Sequence, residues 1–236
     1  MNINSFMTPR LLAVANMVDS AGCVADIGTD HAYVPVYLIL NDMAKTALAM
    51  DINEGPIGRA EENIKRFSLS DKIKTRLSDG LAQLTDNEAD TVIVAGMGGI
   101  LINNIIEASK GRLSSVKKYV LQPMTAIEET RRYLAENGFE IVDEVLAKED
   151  EKIYTIISAT PGEMKIENEI NYYIGEHLIK KQDKILPEYI KGKIYEFEKA
   201  VTSMKNAQNP EIKQKEERFL YLISELKRLQ EECNKW

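Results

Sequence analysis

The sequence predicts an α/β fold in which a mostly parallel sheet ends in an antiparallel hairpin and a helical hairpin follows. Three observations predict it. Short apolar runs alternate with amphipathic stretches from residue 23 to residue 137, as in successive βαβ units. Two extended runs then sit side by side around the charged stretch Lys148 to Glu151. Beyond Pro161-Gly162 the strand signals stop and apolar residues recur at helical spacing.

Taken in order, Thr8-Pro9 reads as an N-cap and first helical position, and Leu11, Leu12, Ala15 and Val18 continue a helix. Strands are expected at Cys23 to Ile27, Thr46 to Met50, Ile73 to Leu77, Thr91 to Ala95 and Tyr119 to Leu121. Helices are expected between them, at Val34 to Asn41, Pro56 to Phe67, Ile100 to Ala108 and Ile127 to Asn137. Glu140 to Ala147 and Lys152 to Ala159 form the hairpin. This divides the chain into a domain of residues 1–162 and a helical domain of residues 163–236. In the second, Pro187 and Pro210 mark off three helical pieces. The last two carry heptad-like stripes, Ile190, Ile194, Phe197, Val201, Met204 and Phe219, Leu222, Leu226, Leu229, Cys233. With a turn over Asn206 to Pro210 they predict an antiparallel coiled-coil hairpin.

Composition narrows the function. The 236 residues are 44% hydrophobic and 28% charged, ordinary for a globular protein, and no apolar run reaches membrane-span length. The first ten residues lack the pattern of a secretory signal, so a cytoplasmic protein without a membrane partner is expected. Two widely separated cysteines, Cys23 and Cys233, offer neither a disulfide framework nor a metal site. The net charge of -7 lies wholly in residues 1–160; residues 161–236 carry 14 Lys/Arg and 14 Asp/Glu and leave room for a basic face.

The chemistry-bearing residues cluster at predicted strand ends. Asp26-Ile27-Gly28-Thr29-Asp30-His31-Ala32-Tyr33 is a glycine turn opening into a helix, but without the Gly-x-Gly-x-x-Gly of a pyrophosphate site. Its carboxylates, Asp26 and Asp30, repel phosphate and suit a ligand with an ammonium and a sulfonium, as in S-adenosylmethionine. Asp51, followed by Ile52, ends the second strand 25 residues after Asp26, where such sheets present an acid to ribose hydroxyls. Asp79-Gly80 after the third strand can meet an adenine amino group. Gly96-Met97-Gly98-Gly99 after the fourth implies close approach to backbone and excludes a P-loop, since no Gly-Lys-Ser/Thr follows. Gln122 ends the fifth strand and can hydrogen-bond a base or the cofactor; His31 reads equally as a general base or as a structural hydrogen-bonding group.

Together these residues, with Gly55-Pro56, Ser78-Asp79-Gly80-Leu81, Leu121-Gln122-Pro123, Arg10-Leu11, Asp143-Glu144-Val145 and Tyr154, resemble the TrmK family of bacterial tRNA (adenine-N1)-methyltransferases that modify position 22. The resemblance is close over residues 8 to 160 and departs at Met124, where the family usually has Asn, and at Thr29, where Ser is common. It implies a Rossmann-like class I methyltransferase domain, a C-terminal coiled-coil domain, S-adenosylmethionine as methyl donor and tRNA as acceptor, with no metal. It also implies cofactor contacts from Asp26, Gly28, Asp30, His31, Asp51, Ile52, Asp79, Gly80, Gly96, Met97 and Gly98. Asp30, Tyr33, Met97 and Gln122 are the expected residues around the reacting base. Arg10, Lys180, Lys181, Lys184, Lys191 and Lys193 are the expected RNA contacts, and a monomer is expected. A methyltransferase with a protein or small-molecule acceptor, and an RNA-binding protein with a vestigial cofactor pocket, are the competing readings.

Overall fold

A computed structural model describes residues 2–204, 209–233, 235 and 236. The chain forms two compact units, Met1–Lys165 and Ile166–Trp236.

The first unit opens with a 3-10 turn, Ile3–Phe6, and helix α1, Pro9–Asn16. Thr8 caps α1 as its sequence predicts, its side chain accepting from the Leu11 N–H. Strands β1 (Ala21–Ile27), β2 (Ala44–Asp51), β3 (Ile73–Leu77), β4 (Thr91–Met97) and β5 (Lys118–Pro123) alternate with helices α2 (Tyr33–Leu40), α3 (Glu54–Arg66), α4 (Gly99–Glu107) and α5 (Ile127–Glu136). β6 (Phe139–Glu149) and β7 (Lys152–Pro161) complete one seven-stranded sheet in the order β3-β2-β1-β4-β5-β7-β6. The first five strands are parallel, and β7 runs antiparallel to both β5 and β6.

Alternate residues of the inner strands feed two cores, one on each face of the sheet. Val24, Ala47, Ile93, Val120 and Ile156 join residues of α1, α2 and α3, whereas Ala25, Ile27, Met50, Val92, Val94 and Leu121 join those of α4 and α5. Burial of both faces is why these strands read as unbroken apolar runs. Expected and observed positions agree for every strand of this unit and for α1 to α5, but β1, β2, β4, β5 and the hairpin strands run two or three residues longer than expected. Ladder hydrogen bonds continue past the apolar segment, and burial pattern alone does not mark where they stop.

In the middle of β6, burial extends to a charged pair. Arg131 Nε of α5 lies 2.7 Å from Glu144 Oε1 of β6, with side chains 0% and 1% exposed.

The second unit contains α6 (Ile170–Ile174), α7 (Glu176–Lys180), α8 (Leu186–Met204) and α9 (Pro210–Cys233). Where the sequence predicts one helix before Pro187, two short ones form, because Gly175 at φ 92° breaks the run between them. The stripes of α8 and α9 are buried at Ile190, Ile194, Phe197, Val201, Leu222, Leu226, Leu229 and Cys233. Phe197 stacks on Phe219, and Lys227 Nζ meets Glu198 Oε1 at 2.8 Å. The five residues between these helices are too few to return the chain to the start of α8, so the pair is antiparallel. Residues 206–208 of the expected turn lie outside the described residues. No described helix is long and apolar enough to cross a membrane.

Candidate active site

The connections β1-α2-β2-α3-β3 and β4-α4-β5 wind in opposite directions from the adjacent strands β1 and β4. In open α/β sheets the crevice outside the carboxyl ends of such strands is where ligands bind. Backbone hydrogen bonds knit this edge together: Gly28 and Thr29 N–H donate to Met50 O at 2.8 and 2.9 Å, Ser78 N–H to Asp51 O at 2.8 Å, and Met124 N–H to Met97 O at 2.8 Å. The acids Asp26, Asp51 and Asp79 are therefore held at three neighbouring strand ends, β1, β2 and β3.

Their environments differ. Asp26 is 8% exposed, and desolvation pushes its carboxyl up to about 6; the nearby Thr29 hydroxyl opposes that shift and the Asp51 charge adds to it. Thr29 Oγ1 is itself buried and completes no hydrogen bond of normal geometry. Asp51 Oδ1 accepts from Asn53 N–H at 2.8 Å, holding the turn into α3. Asp79 is exposed and lines, with Gly80, Leu81, Leu101 and Ile105, a recess of about 510 Å³ against α4.

A second cleft, of about 360 Å³, opens beside β1 and is lined by Arg10, Asp26, Gly28, Thr29, Asp30 and Gly96, among others. Gly28 and Gly96 have φ 76° and 78°, a backbone conformation that side-chain-bearing residues rarely adopt. A Cβ on Gly28 would stand 2.1 Å from Met97 Cε, so Met97 lies directly against the glycine turn.

Several expected roles change on this geometry. Tyr33 stacks on His31 (5.0 Å between centroids, 8° between planes) and on Phe6 (5.2 Å, 25°). Its ring is thus engaged with two aromatic neighbours while Tyr33 also lines the cleft beside β1. Asp30 is exposed, but Arg59 Nε donates to its Oδ1 at 3.0 Å and His31 Nε2 lies 3.4 Å from its Oδ2. Its charge is already matched by Arg59, which works against the expected part in favouring a cationic product. Gln122 is fully buried: Oε1 accepts from Arg10 Nη1 (2.9 Å) and Gly96 N–H (3.1 Å), while Nε2 donates to Pro123 O (3.1 Å) and Met124 Sδ (3.4 Å). All four of its hydrogen-bonding positions are used inside the protein, so it braces the edge of the sheet and reaches no ligand.

Arg10, one of the expected RNA contacts, lines the cleft of the first unit, with its guanidinium 5.5 Å from the Tyr154 ring centroid. Among the lysines of the second unit, Lys180 pairs with Glu176 at 2.6 Å, and Lys193 pairs with Glu196 at 2.9 Å and lies over the Tyr189 ring. Lys181, Lys184 and Lys191 are exposed. Arg59, Asn63 and Glu149, which orient Asp30, the His31 backbone and the start of α1, carry no sequence signal, because each acts from at least 29 residues away.

Residues 24–228 match the family model described as TrmK, tRNA (adenine(22)-N(1))-methyltransferase. The chain belongs to that family. It is 37% identical over 157 residues to the tRNA (adenine(22)-N(1))-methyltransferase of Bacillus subtilis strain 168, an alignment covering 66% of each chain, just under two thirds of that relative. The crystal structure of B. subtilis TrmK superposes with a TM-score of 0.84 at 30% identity, covering 94% of this chain and 97% of that one. Streptococcus pneumoniae Sp1610 in complex with S-adenosyl-L-methionine gives 0.84 at 29% identity, covering 95% and 99%. The sheet order, the antiparallel β7 and the C-terminal helices are thus those of a Rossmann-like methyltransferase of the TrmK family.

Proposed function

We propose that the protein transfers a methyl group from S-adenosylmethionine to N1 of the adenine at position 22 of bacterial tRNA, as a cytoplasmic monomer. Membership of the TrmK family supports the reaction, and the observation that carries it to this chain is the row of acids at the ends of β1, β2 and β3.

The cofactor suits these residues. The orphaned, buried Thr29 hydroxyl and the positive-φ glycines 28 and 96 line one polar recess, with the tip of Met97 against the Gly28 turn. Asp26 would hold the ammonium, Asp51 the ribose hydroxyls and Asp79 the adenine amino group. Gly28, Gly80, Gly96 and Gly98 would allow close approach, with Ile52, His31 and Met97 as walls. When bound, S-adenosylmethionine supplies an electrophilic methyl on a positively charged sulfur.

The chain's own work is alignment. Adenine N1 carries a free lone pair once the base is unpaired and unstacked, so no residue need remove a proton from it. Holding nucleophile, methyl carbon and leaving sulfur in line contributes up to roughly 7–11 kcal/mol in the best model systems. Met97, at the end of β4 and against the Gly28 turn, would be the residue to touch the reacting groups. Residues 163–236 form a separate helical domain in this reading, and exposed Lys181, Lys184 and Lys191 on it are the candidates for tRNA phosphates.

Incubation with labelled S-adenosylmethionine and unmodified bacterial tRNA, followed by nucleoside mass analysis, tests the reading. N1-methyladenosine at position 22 from the wild type and none from Asp26→Ala is the expected result. Cofactor binding without tRNA methylation would move the acceptor elsewhere.

A further inference from the structure

Helix α8 carries an outward strip that its packing does not explain. Tyr195 is 69% exposed, more than any other large apolar side chain among the described residues. Lys191 and Lys199 lie four residues before and after it, so the three project in a row about 12 Å long on one flank of the helix. Both lysines are exposed, and among the described residues neither pairs with a carboxylate. The nearby acids of α8 are committed: Glu196 to Lys193 at 2.9 Å, Glu198 to Lys227 at 2.8 Å, and Glu188, at the start of the helix, to an interaction of its own. Gly192 lies on the same flank, three residues before Tyr195. A Cβ there would meet nothing within 4 Å, so no packing contact demands the glycine, although glycine inside a helix is less stable than alanine. Its bare backbone leaves the space beside the Tyr195 ring open.

We infer that this strip is a stacking platform for RNA: an unpaired base of the tRNA lies on the Tyr195 ring beside Gly192, while Lys191 and Lys199 hold phosphates of the same strand. This inference rests on the reading of tRNA as the acceptor. A tyrosine ring offers a π-face to any base, and cations on either side of it follow the backbone of the strand. Loops and other single-stranded segments are the parts of a folded RNA whose bases can be splayed onto such a ring. The two lysines keep their full charge for phosphate because the acids around them are already matched. A protein partner would ask for a different surface. A stable interface covers about 800 Å² on each side and has an apolar centre, whereas the neighbours of this ring along the helix are lysines and a glycine.

Fluorescence anisotropy of labelled, unmodified bacterial tRNA with the full-length chain tests the inference, with calorimetric S-adenosylhomocysteine binding and the melting temperature as controls. Tyr195→Ala should weaken tRNA binding roughly tenfold, the scale of one base–aromatic stack, and leave both controls at their wild-type values. Tyr195→Trp should bind tRNA at least as tightly as wild type, because the stack is kept. Lys191→Gln and Lys199→Gln should each lower the slope of log affinity against log salt by about 1. Gly192→Gln should raise the melting temperature yet weaken tRNA binding, a pair of effects that a purely structural glycine would not give. Wild-type tRNA affinity in Tyr195→Ala would overturn the inference. So would intact tRNA affinity accompanied by loss of a self-associated species in sedimentation, which would assign the strip to a second copy of the chain. A wild-type protein that binds no tRNA would remove the acceptor reading itself, and this inference with it.

Discussion

Arg10 and Gln122, 112 residues apart in sequence, meet at 2.9 Å through Nη1 and Oε1, and the same Oε1 accepts the backbone N–H of Gly96. One buried amide thereby ties the first helix, the turn after β4 and the end of β5 into a single edge. The glycine turn beside the proposed reacting centre keeps its shape because Gln122 has no freedom left.

Replacement of Gln122 by Leu keeps the volume and removes these bonds. Each buried group left unpaired costs roughly 1–3 kcal/mol, so urea unfolding should show a loss of that order or more. Turnover should fall further than the stability loss alone explains, because the Gly96 N–H and the Arg10 side chain both lose their anchor. Full activity in Gln122→Leu would show that the amide is dispensable.

Asp26 gives the protein a pH signature. Its folded value of about 6 lies above the usual carboxylate value of about 4, so the folded state keeps a proton that the unfolded chain releases. The associated stability is present in full below pH 4 and is lost as pH rises through 6. Asp26→Asn should therefore match wild type near pH 4 and exceed it by up to roughly 3 kcal/mol at pH 8. Binding has the opposite sign. An ammonium partner needs the ionised carboxylate, so S-adenosylhomocysteine affinity should rise between pH 5 and 7 and then level off. Calorimetry across that range checks both slopes; a flat binding profile would separate Asp26 from the ammonium.

The Arg131–Glu144 pair, with side chains 0% and 1% exposed, should couple strongly. Removing one partner, as in Glu144→Leu, leaves a buried charge and should cost roughly 3–5 kcal/mol, whereas Arg131→Met with Glu144→Leu should recover most of it. Equilibrium unfolding of the two single variants and the double variant measures the coupling directly.

Two glycines should respond differently to alanine. At Gly99 a Cβ would meet backbone oxygens of Ala126 and Thr125 at 2.5 and 2.7 Å, so α4 and α5 must separate. Gly99→Ala should lower thermal stability by several degrees or prevent folding. At Gly28 the clash is with the mobile tip of Met97, and the remaining cost is roughly 1–2 kcal/mol for the left-handed backbone. Gly28→Ala should fold and bind S-adenosylhomocysteine poorly. Equal melting temperatures for the two variants would contradict this account.

Much of the fold was legible because local rules and tertiary burial agree. The inner strands β1, β2, β4 and β5 carry apolar runs because both faces are covered, and Thr8 at the start of α1 and Gly28 and Gly96 at the strand ends meet local backbone requirements that few other residues meet. Asp26, Asp51 and Asp79 were legible for the same reason: once the strands are placed, their ends are placed. Gly175 was less so, since a single glycine in a helical pattern is usually tolerated.

By itself, then, the sequence determined the parallel sheet, the acids at its carboxyl edge, the family and the helical pair that follows. Only the tertiary structure decided which of those groups are free to act. Asp30 is matched by Arg59, Tyr33 is stacked with Phe6 and His31, Gln122 is spent on internal bonds, and Arg10 lines the cleft. The physical reason is range. Periodicity and capping are set by neighbours within a few residues, whereas the state of a charge or a ring is set by whatever the fold brings beside it, here from 27 to 112 residues away.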